Sequence, residues 1–198
     1  MMTPRFTFYY DIVCPYAYLA STQVEALAAR AGAEIVWEPI LLGGVFRAIG
    51  QSDEPARAQP AAKVALGLLD MQRYAALYGV TLKLHPRHPL RSVEVMRLLH
   101  TVAGADQVAL MHRLYRAHFV ENRDISDRAV LADYGEVARI DDPAVKAALR
   151  AATERAVADG VFGVPAFIVE QAGQRRLFWG QDRMLLVERA LGGWQVPA

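Results

Sequence analysis

Hydrophobic and polar positions follow a strand-like period at both ends of the chain and a helix-like period in its middle. The aromatic run at residues 6–10 and the segment EIVWEPI at residues 34–40 favour strands. Between them, apolar residues at helical spacing predict a helix over residues 18–30, which Gly32 would end. The chain is therefore predicted to open as β-α-β.

From residue 61 to about residue 160, every strong pattern is helical. Ser92 is a candidate N-cap for a helix over residues 93–102, and further helices are predicted over residues 127–138 and 142–159. The Gly- and Pro-rich residues 41–60 predict a loop with one short helix. The first helix after that loop, ending at Tyr78-Gly79, has a single apolar face made of Val64, Leu68, Met71, Tyr74 and Leu77.

The strand-like pattern returns near the end of the sequence. Residues 165–170 and 175–179 predict a hairpin that turns at residues 171–174, and Asp182 is a candidate cap for a final helix over residues 184–191. The economical arrangement packs the two strand-containing ends, residues 1–42 and 155–198, into one α/β domain. The helical residues 43–154 are then an insertion between its halves.

Composition excludes several classes of partner and site. The 198 residues carry 22 Lys and Arg against 21 Asp and Glu, so the net charge of +1 argues against nucleic acid or an anionic membrane as the main partner. No apolar run approaches the length of a membrane span, and no signal-peptide pattern is visible. A single cysteine rules out an internal disulfide and a multi-cysteine metal site, and it favours a reducing, cytoplasmic setting.

Cys14 is the strongest candidate for chemistry. It follows the first strand and precedes Pro15, a residue suited to the first turn of a helix. A thiol at a helix N-terminus can have its pKa lowered from about 8.5 to about 3.5–7.5, which would make it largely thiolate at neutral pH. The alternative is that Cys14 is a small buried hydrophobic residue, which is common for a free cysteine.

Four motifs, which follow one another along nearly the whole chain, resemble the DsbA-like superfamily of the thioredoxin fold. They are FYYDIVCPYAYLA at residues 8–20, LDMQRYAALYGV at residues 69–80, VFGVP at residues 161–165 and FWGQDR at residues 178–183. Within that superfamily the chain is similar to 2-hydroxychromene-2-carboxylate isomerases and, next, to kappa-class glutathione transferases. The resemblance implies an α/β thioredoxin fold with an inserted all-helical domain and a glutathione cofactor.

The resemblance also implies a set of glutathione contacts. The backbone of Val164, before a cis Pro165, would pair with the cysteinyl part of glutathione as an added strand does, although a trans proline beginning a strand is the alternative from local sequence. Backbone N–H groups of the turn Gln181-Asp182-Arg183 would hold the γ-glutamyl carboxylate, and Asp182 would accept its ammonium. A plain N-cap at Asp182, with Arg183 bracing the loop, is the simpler interpretation.

Other candidates carry weaker signals. Gln51 and Lys63 would reach the glycine end and the backbone of glutathione, although a lone lysine is usually a solvated surface residue. Tyr16 joins the candidate cofactor contacts and, with Tyr74 and Tyr78, can line a pocket for an aromatic substrate or simply pack in the core. The histidines form no HExxH pair, so no metal site is predicted.

The chain departs from the family pattern at its central residue. A serine usually stands in these isomerases and transferases where this chain has Cys14, and Ala17 replaces the second cysteine of DsbA-type enzymes. The leading hypothesis is a glutathione-dependent isomerase that interconverts 2-hydroxychromene-2-carboxylate and trans-o-hydroxybenzylidenepyruvate, or a related aromatic compound, by reversible thiolate addition. The alternatives are a monothiol thiol–disulfide oxidoreductase or a kappa-like transferase that uses Cys14. A homodimer is also expected.

Overall fold

A computed structural model of the chain describes residues 3–52, 58–171 and 173–195. Its centre is one mixed sheet of four strands in the order β2-β1-β3-β4. Strand β2 runs parallel to β1, while β3 runs antiparallel to both β1 and β4. The strands are β1 (Arg5–Tyr10), β2 (Glu34–Pro39), β3 (Ala166–Gln171) and β4 (Gln174–Trp179).

The two faces of the sheet differ because side chains alternate along each strand. One face carries a closely packed aromatic core, in which the Phe8 ring lies 5.3 Å from Phe167 and 5.5 Å from Trp37 between centroids. The opposite face is more polar: the Tyr9 hydroxyl donates to Asp159 at 2.7 Å, and Arg175 pairs with the same carboxylate. The aromatic face is the one that the helical part of the chain covers.

Helices connect and cover the strands. The described ranges contain α1 (Pro15–Ser21), α2 (Val24–Ala31), α3 (Leu42–Ala48), α4 (Ala61–Leu77), α5 (Val93–Leu99), α6 (Ala105–Phe119), α7 (Arg128–Leu131), α8 (Pro143–Ala158) and α9 (Met184–Leu191). Short 3-10 turns lie at Val137–Asp141 and Gln181–Arg183. The described residues between β2 and β3 form no strand, and within them no helix is both long and apolar enough to cross a membrane.

Several local signals predicted these elements correctly. Gly32 ends α2 in the left-handed conformation at φ 58°, as expected of a helix-ending glycine. Asp142 accepts the Ala144 N–H at 2.8 Å, and Pro143 begins α8 as predicted. The opening β-α-β unit and the C-terminal hairpin are confirmed.

Tertiary packing overrode other predictions. The helix predicted over residues 18–30 is two helices separated at Thr22-Gln23, and α7 is only four residues long. The predicted apolar face of α4 is wrong in part, because Leu68 and Leu77 are exposed, Leu77 at 74%, while Met71 and Ala75 face the body of the protein. The division into residues 43–154 and the flanking domain stays a prediction, and its second boundary falls inside α8.

Candidate functional site

The turn from β1 to α1 presents Cys14. Its backbone is extended, at φ −88° and ψ 115°, so that it occupies the N-cap of α1, and Pro15 takes the first helical position. The Cys14 N–H donates to the Asp11 carbonyl at 3.1 Å, which closes the turn. The predicted placement of Cys14 at the junction of strand and helix is confirmed.

The state of the thiol differs from the prediction. Cys14 is only 8% exposed, and its Sγ donates to the Val164 carbonyl at 3.2 Å. Burial raises the pKa of Cys14 to about 12, with a further contribution from the Asp11 charge, even though the N–H groups of Ala17 and Tyr16 act in the opposite direction. The predicted low pKa is therefore wrong, because desolvation outweighs the short helix. Cys14 is a protonated donor at neutral pH.

The loop before β3 forms the second side of the site. The Val164–Pro165 bond is cis, and the Pro165 carbonyl accepts the Gly180 N–H at 3.0 Å. A side chain at Gly163 would place its Cβ 2.9 Å from the Trp179 indole nitrogen, so the close approach there requires glycine. In the described part of the chain, the Val164 N–H donates to no acceptor.

The turn Gln181–Arg183 forms the third side. Gln181 is buried and accepts the Tyr78 hydroxyl at 2.9 Å. Asp182 does not cap α9 as predicted, since Arg183 is the N-cap residue and the Asp182 carboxylate instead pairs with the Arg183 guanidinium. The N–H groups of Gln181 and Asp182 have no acceptor among the described residues. This turn therefore offers two free donors beside a partly exposed carboxylate.

Helix α4 lies opposite these turns. Tyr16 of α1, Tyr74 of α4 and Tyr78 at the end of α4 lie near them. The Tyr16 hydroxyl donates to the Gly67 carbonyl at 3.5 Å, and burial, with Cys14, Asp70 and Asp182 nearby, raises its pKa. Tyr74 and Tyr78 lie 5.7 Å apart between ring centroids. All three tyrosines are half-buried, so they line the space between α4 and the Gln181–Arg183 turn as well as packing in it.

The two weaker candidates, Lys63 and Gln51, are both exposed. Lys63 is exposed on the first turn of α4, one turn before Gly67, and it forms no ion pair with a described residue. Gln51 is exposed just after α3, and its N–H donates to the Phe46 carbonyl at 2.8 Å. Neither side chain is brought into contact with Cys14.

The histidines of the loop after α4 pack on a histidine of α6. His118 lies 6.5 Å from His85 and 6.2 Å from His88 between ring centroids, and its burial lowers its pKa to about 4. No group of three or more His, Cys, Asp or Glu side chains in the described ranges is arranged to hold a metal ion. The His118 ring also packs against Phe119, at 4.4 Å between ring centroids.

The sequence analysis did not identify one residue of the site. Asp11 is fully buried and accepts the Val13 N–H at 3.0 Å, the Leu42 N–H at 2.9 Å and the Ser92 hydroxyl at 2.9 Å. Ser92 was predicted to cap α5, but its hydroxyl donates to Asp11 and makes no cap hydrogen bond. The signal was present in FYYDIVC, where one acid interrupts an apolar run.

Comparison with known proteins agrees with this geometry. A family model for the DSBA-like thioredoxin domain matches residues 5–192. The chain belongs to the DSBA-like thioredoxin domain family. The matched range includes both Cys14 and the cis Pro165.

Several DSBA-like relatives carry a more specific name. The 2-hydroxychromene-2-carboxylate isomerase of Sphingobium xenophagum is 29% identical over 96% of this chain and 99% of its own length. The enzyme of the same name from Pseudomonas putida is 29% identical over 93% of each chain. A solved structure of a 2-hydroxychromene-2-carboxylate isomerase matches with a TM-score of 0.75 at 26% identity, covering 95% of this chain and 94% of that one. The predicted resemblance and the thioredoxin fold are confirmed.

Proposed function

We propose that this chain is a glutathione-dependent isomerase that interconverts 2-hydroxychromene-2-carboxylate and trans-o-hydroxybenzylidenepyruvate, or a closely related aromatic compound. The observation that carries the proposal is the Cys14 thiol at the start of α1, whose Sγ donates to the Val164 carbonyl at 3.2 Å. A buried thiol with a raised pKa serves as a hydrogen-bond donor rather than as a nucleophile. The usual serine of the family supplies the same kind of donor.

The residues present fit glutathione. Val164 has a free N–H for a peptide backbone, and the N–H groups of Gln181 and Asp182 suit a carboxylate at the start of a helical turn. The Asp182 carboxylate, which is 43% exposed, can accept an ammonium group beside its pairing with Arg183. Lys63 and Gln51 complete the proposed set from the α4 side, together with Tyr16 at the mouth.

Each protein group has a simple task in this proposal. When bound, glutathione supplies a thiol that adds reversibly to a conjugated double bond, so that the bond can rotate. The Cys14 S–H would turn from the Val164 carbonyl to the glutathione sulfur and stabilise the thiolate by donating a hydrogen bond to it. The half-buried tyrosines of α1 and α4 offer apolar rings and polar hydroxyl groups as a surface for an aromatic acid.

The alternative monothiol function has less support from this geometry. A mixed-disulfide cycle requires Cys14 to attack as a thiolate, whereas burial and the Asp11 charge both raise its pKa. A second cysteine is not present in the sequence to resolve the disulfide. The isomerase therefore remains the better proposal.

The test compares two reactions and two variants. Ring isomerisation is followed by absorbance with and without glutathione, beside an assay for reduction of glutathione mixed disulfides. We expect glutathione-dependent isomerisation that Cys14→Ser largely retains and that Cys14→Ala lowers about 10- to 100-fold, since a hydrogen bond to a charged group contributes about 1.5–3 kcal/mol. Disulfide reduction that Cys14→Ser abolishes, with no isomerisation at any glutathione concentration, would contradict the proposal.

A further inference from the structure

Asp11 is unusual in this molecule because it is a buried acid without a cation. It is the only Asp, Glu, Lys or Arg residue in the described part of the chain that is buried, at 0% exposure. No lysine, arginine or histidine of that part forms an ion pair with it. A buried carboxylate without a counterion needs hydrogen bonds to remain in the folded protein.

Those hydrogen bonds come from several elements. The carboxylate accepts from Val13 in its own turn, from Leu42 at the start of α3 and from Ser92 before α5. The backbone carbonyl of Asp11 accepts the Cys14 N–H at 3.1 Å and the Tyr115 hydroxyl of α6 at 3.2 Å. One residue thus ties the Cys14 turn to the starts of α3 and α5 and to α6.

All side-chain contacts of this carboxylate are donors. An asparagine in its place would turn an NH₂ group toward either the Val13 N–H or the Leu42 N–H, and two donors cannot pair. The arrangement is therefore specific for an oxygen acceptor at both positions. Packing alone does not require so specific a set of acceptors in a turn between a strand and a helix.

The charge acts on Cys14 at short range. The titratable groups around the two residues are Tyr10 of β1, Tyr16 of α1 and Tyr115 of α6, and none of them is a cation. Burial is the main cause of the raised Cys14 pKa, and the Asp11 carboxylate three residues away, with no positive charge to offset it, adds to the effect. Only the N–H groups of Ala17 and Tyr16 oppose the two.

We propose that Asp11 is a positioning residue that acts through Cys14, holding the turn in place and disfavouring the thiolate, so that the thiol serves as a hydrogen-bond donor. The inference deepens the proposed function, because it supplies the reason why a cysteine can stand in for a serine. The Asp11 charge adds to the effect of burial, so its removal lowers the pKa of Cys14 while the buried thiol stays protonated at neutral pH.

The first experiment measures Cys14 in the protein without glutathione or substrate. The pH profile of alkylation by iodoacetamide is recorded for wild type and Asp11→Asn, with Ser92→Ala and Tyr115→Phe as controls that loosen the same network but keep the charge. We expect Asp11→Asn to displace the profile to lower pH by about one unit, so that alkylation at a given pH below the midpoint is about tenfold faster. The controls should leave the midpoint in place.

Two results of this experiment would contradict the proposal. An unchanged midpoint in Asp11→Asn overturns the proposal, and so does an equal displacement in the two controls, because the effect would then be structural. Since no glutathione is present, either outcome is independent of whether the isomerase proposal holds.

A second measurement uses only the wild-type protein. Cys14 is the sole cysteine, so the sulfhydryl stretching band in the infrared spectrum belongs to it alone. As Asp11 ionises, the band of wild type should shift with a midpoint near pH 6. A band that stays constant from pH 5 to pH 8 would show that the two groups are not coupled.

Discussion

The two walls of the candidate cleft are built in different ways. The wall formed by the β1–α1 turn, the loop before β3 and the Gln181–Arg183 turn contains the buried residues Cys14, Val164 and Gln181, and hydrogen bonds join its distant segments. The wall formed by α4 presents Lys63 and several leucines to solvent, with Leu66 at 53% and Leu77 at 74% exposure. The groups beside Cys14 are thus held by their neighbours, whereas the outer face of α4 is in contact with solvent.

This difference suggests a division of tasks. Groups that must keep a fixed distance from a reacting sulfur belong on the rigid wall, where neighbours determine their positions. Groups that accommodate different aromatic compounds are better placed on α4, whose outer surface is apolar. The expected homodimer stays a prediction, and the exposed leucines of α4 are the natural surface on which to look for it.

The largest contrast is expected from replacing one aspartate on each wall. Asp11→Ala leaves the buried N–H groups of Val13 and Leu42 without an acceptor, at a cost of about 1–3 kcal/mol each. Asp70→Ala on α4 removes only a partly exposed pair with Arg73, which is worth about 0–1 kcal/mol. Urea denaturation of both variants measures the difference, and equal losses would contradict the comparison.

The cost of Asp11→Ala should also depend on pH. Burial raises the pKa of Asp11 from 3.8 to about 6, so its neutral form stabilises the folded state below about pH 4, and this stabilisation is lost as the pH rises through 6. The gap between wild type and Asp11→Ala is therefore expected to be larger at pH 4 than at pH 8, by up to about 3 kcal/mol. A gap that widens toward pH 8 would mean that the Asp11 pKa is lowered instead.

The second contrast concerns glutathione affinity. Asp182→Ala removes the acceptor proposed for the γ-glutamyl ammonium, a loss of about 1.5–3 kcal/mol. Lys63→Ala removes an exposed charge, and we expect a loss of about 0–1 kcal/mol. Isothermal titration calorimetry decides between them, and a larger loss from Lys63→Ala would move the main anchor to α4.

The third contrast uses one glycine from each wall. Gly163→Ala forces a Cβ to 2.9 Å from the Trp179 indole, so we expect a destabilisation of about 1–3 kcal/mol. Gly67→Ala in the interior of α4 meets only the Tyr16 hydroxyl, at 3.4 Å, and is expected to stabilise the protein by about 0.5–1 kcal/mol. Thermal unfolding should therefore shift in opposite directions, and a shift in the same direction would show that the walls are equally tight.

Much of the fold follows from local signals in the sequence. The β-α-β opening, the end of α2 at Gly32, the start of α8 at Asp142-Pro143 and the C-terminal hairpin were all predicted from spacing, caps and turn residues. Such features depend on residues a few positions away in the chain, so the sequence alone is enough to predict them. The position of Cys14 at a helix N-terminus belongs to the same class.

The chemistry of the site was decided by residues far apart in the chain. Val164 is 150 positions from Cys14, and Ser92 is 81 positions from Asp11, yet these contacts determine which acceptors the thiol and the serine hydroxyl use. Likewise, the split between α1 and α2 and the exposure of Leu77 depend on which surfaces meet. The sequence by itself determined where Cys14 stands, while tertiary packing decided its ionisation, because desolvation and charge depend on the whole surrounding volume rather than on the adjacent residues.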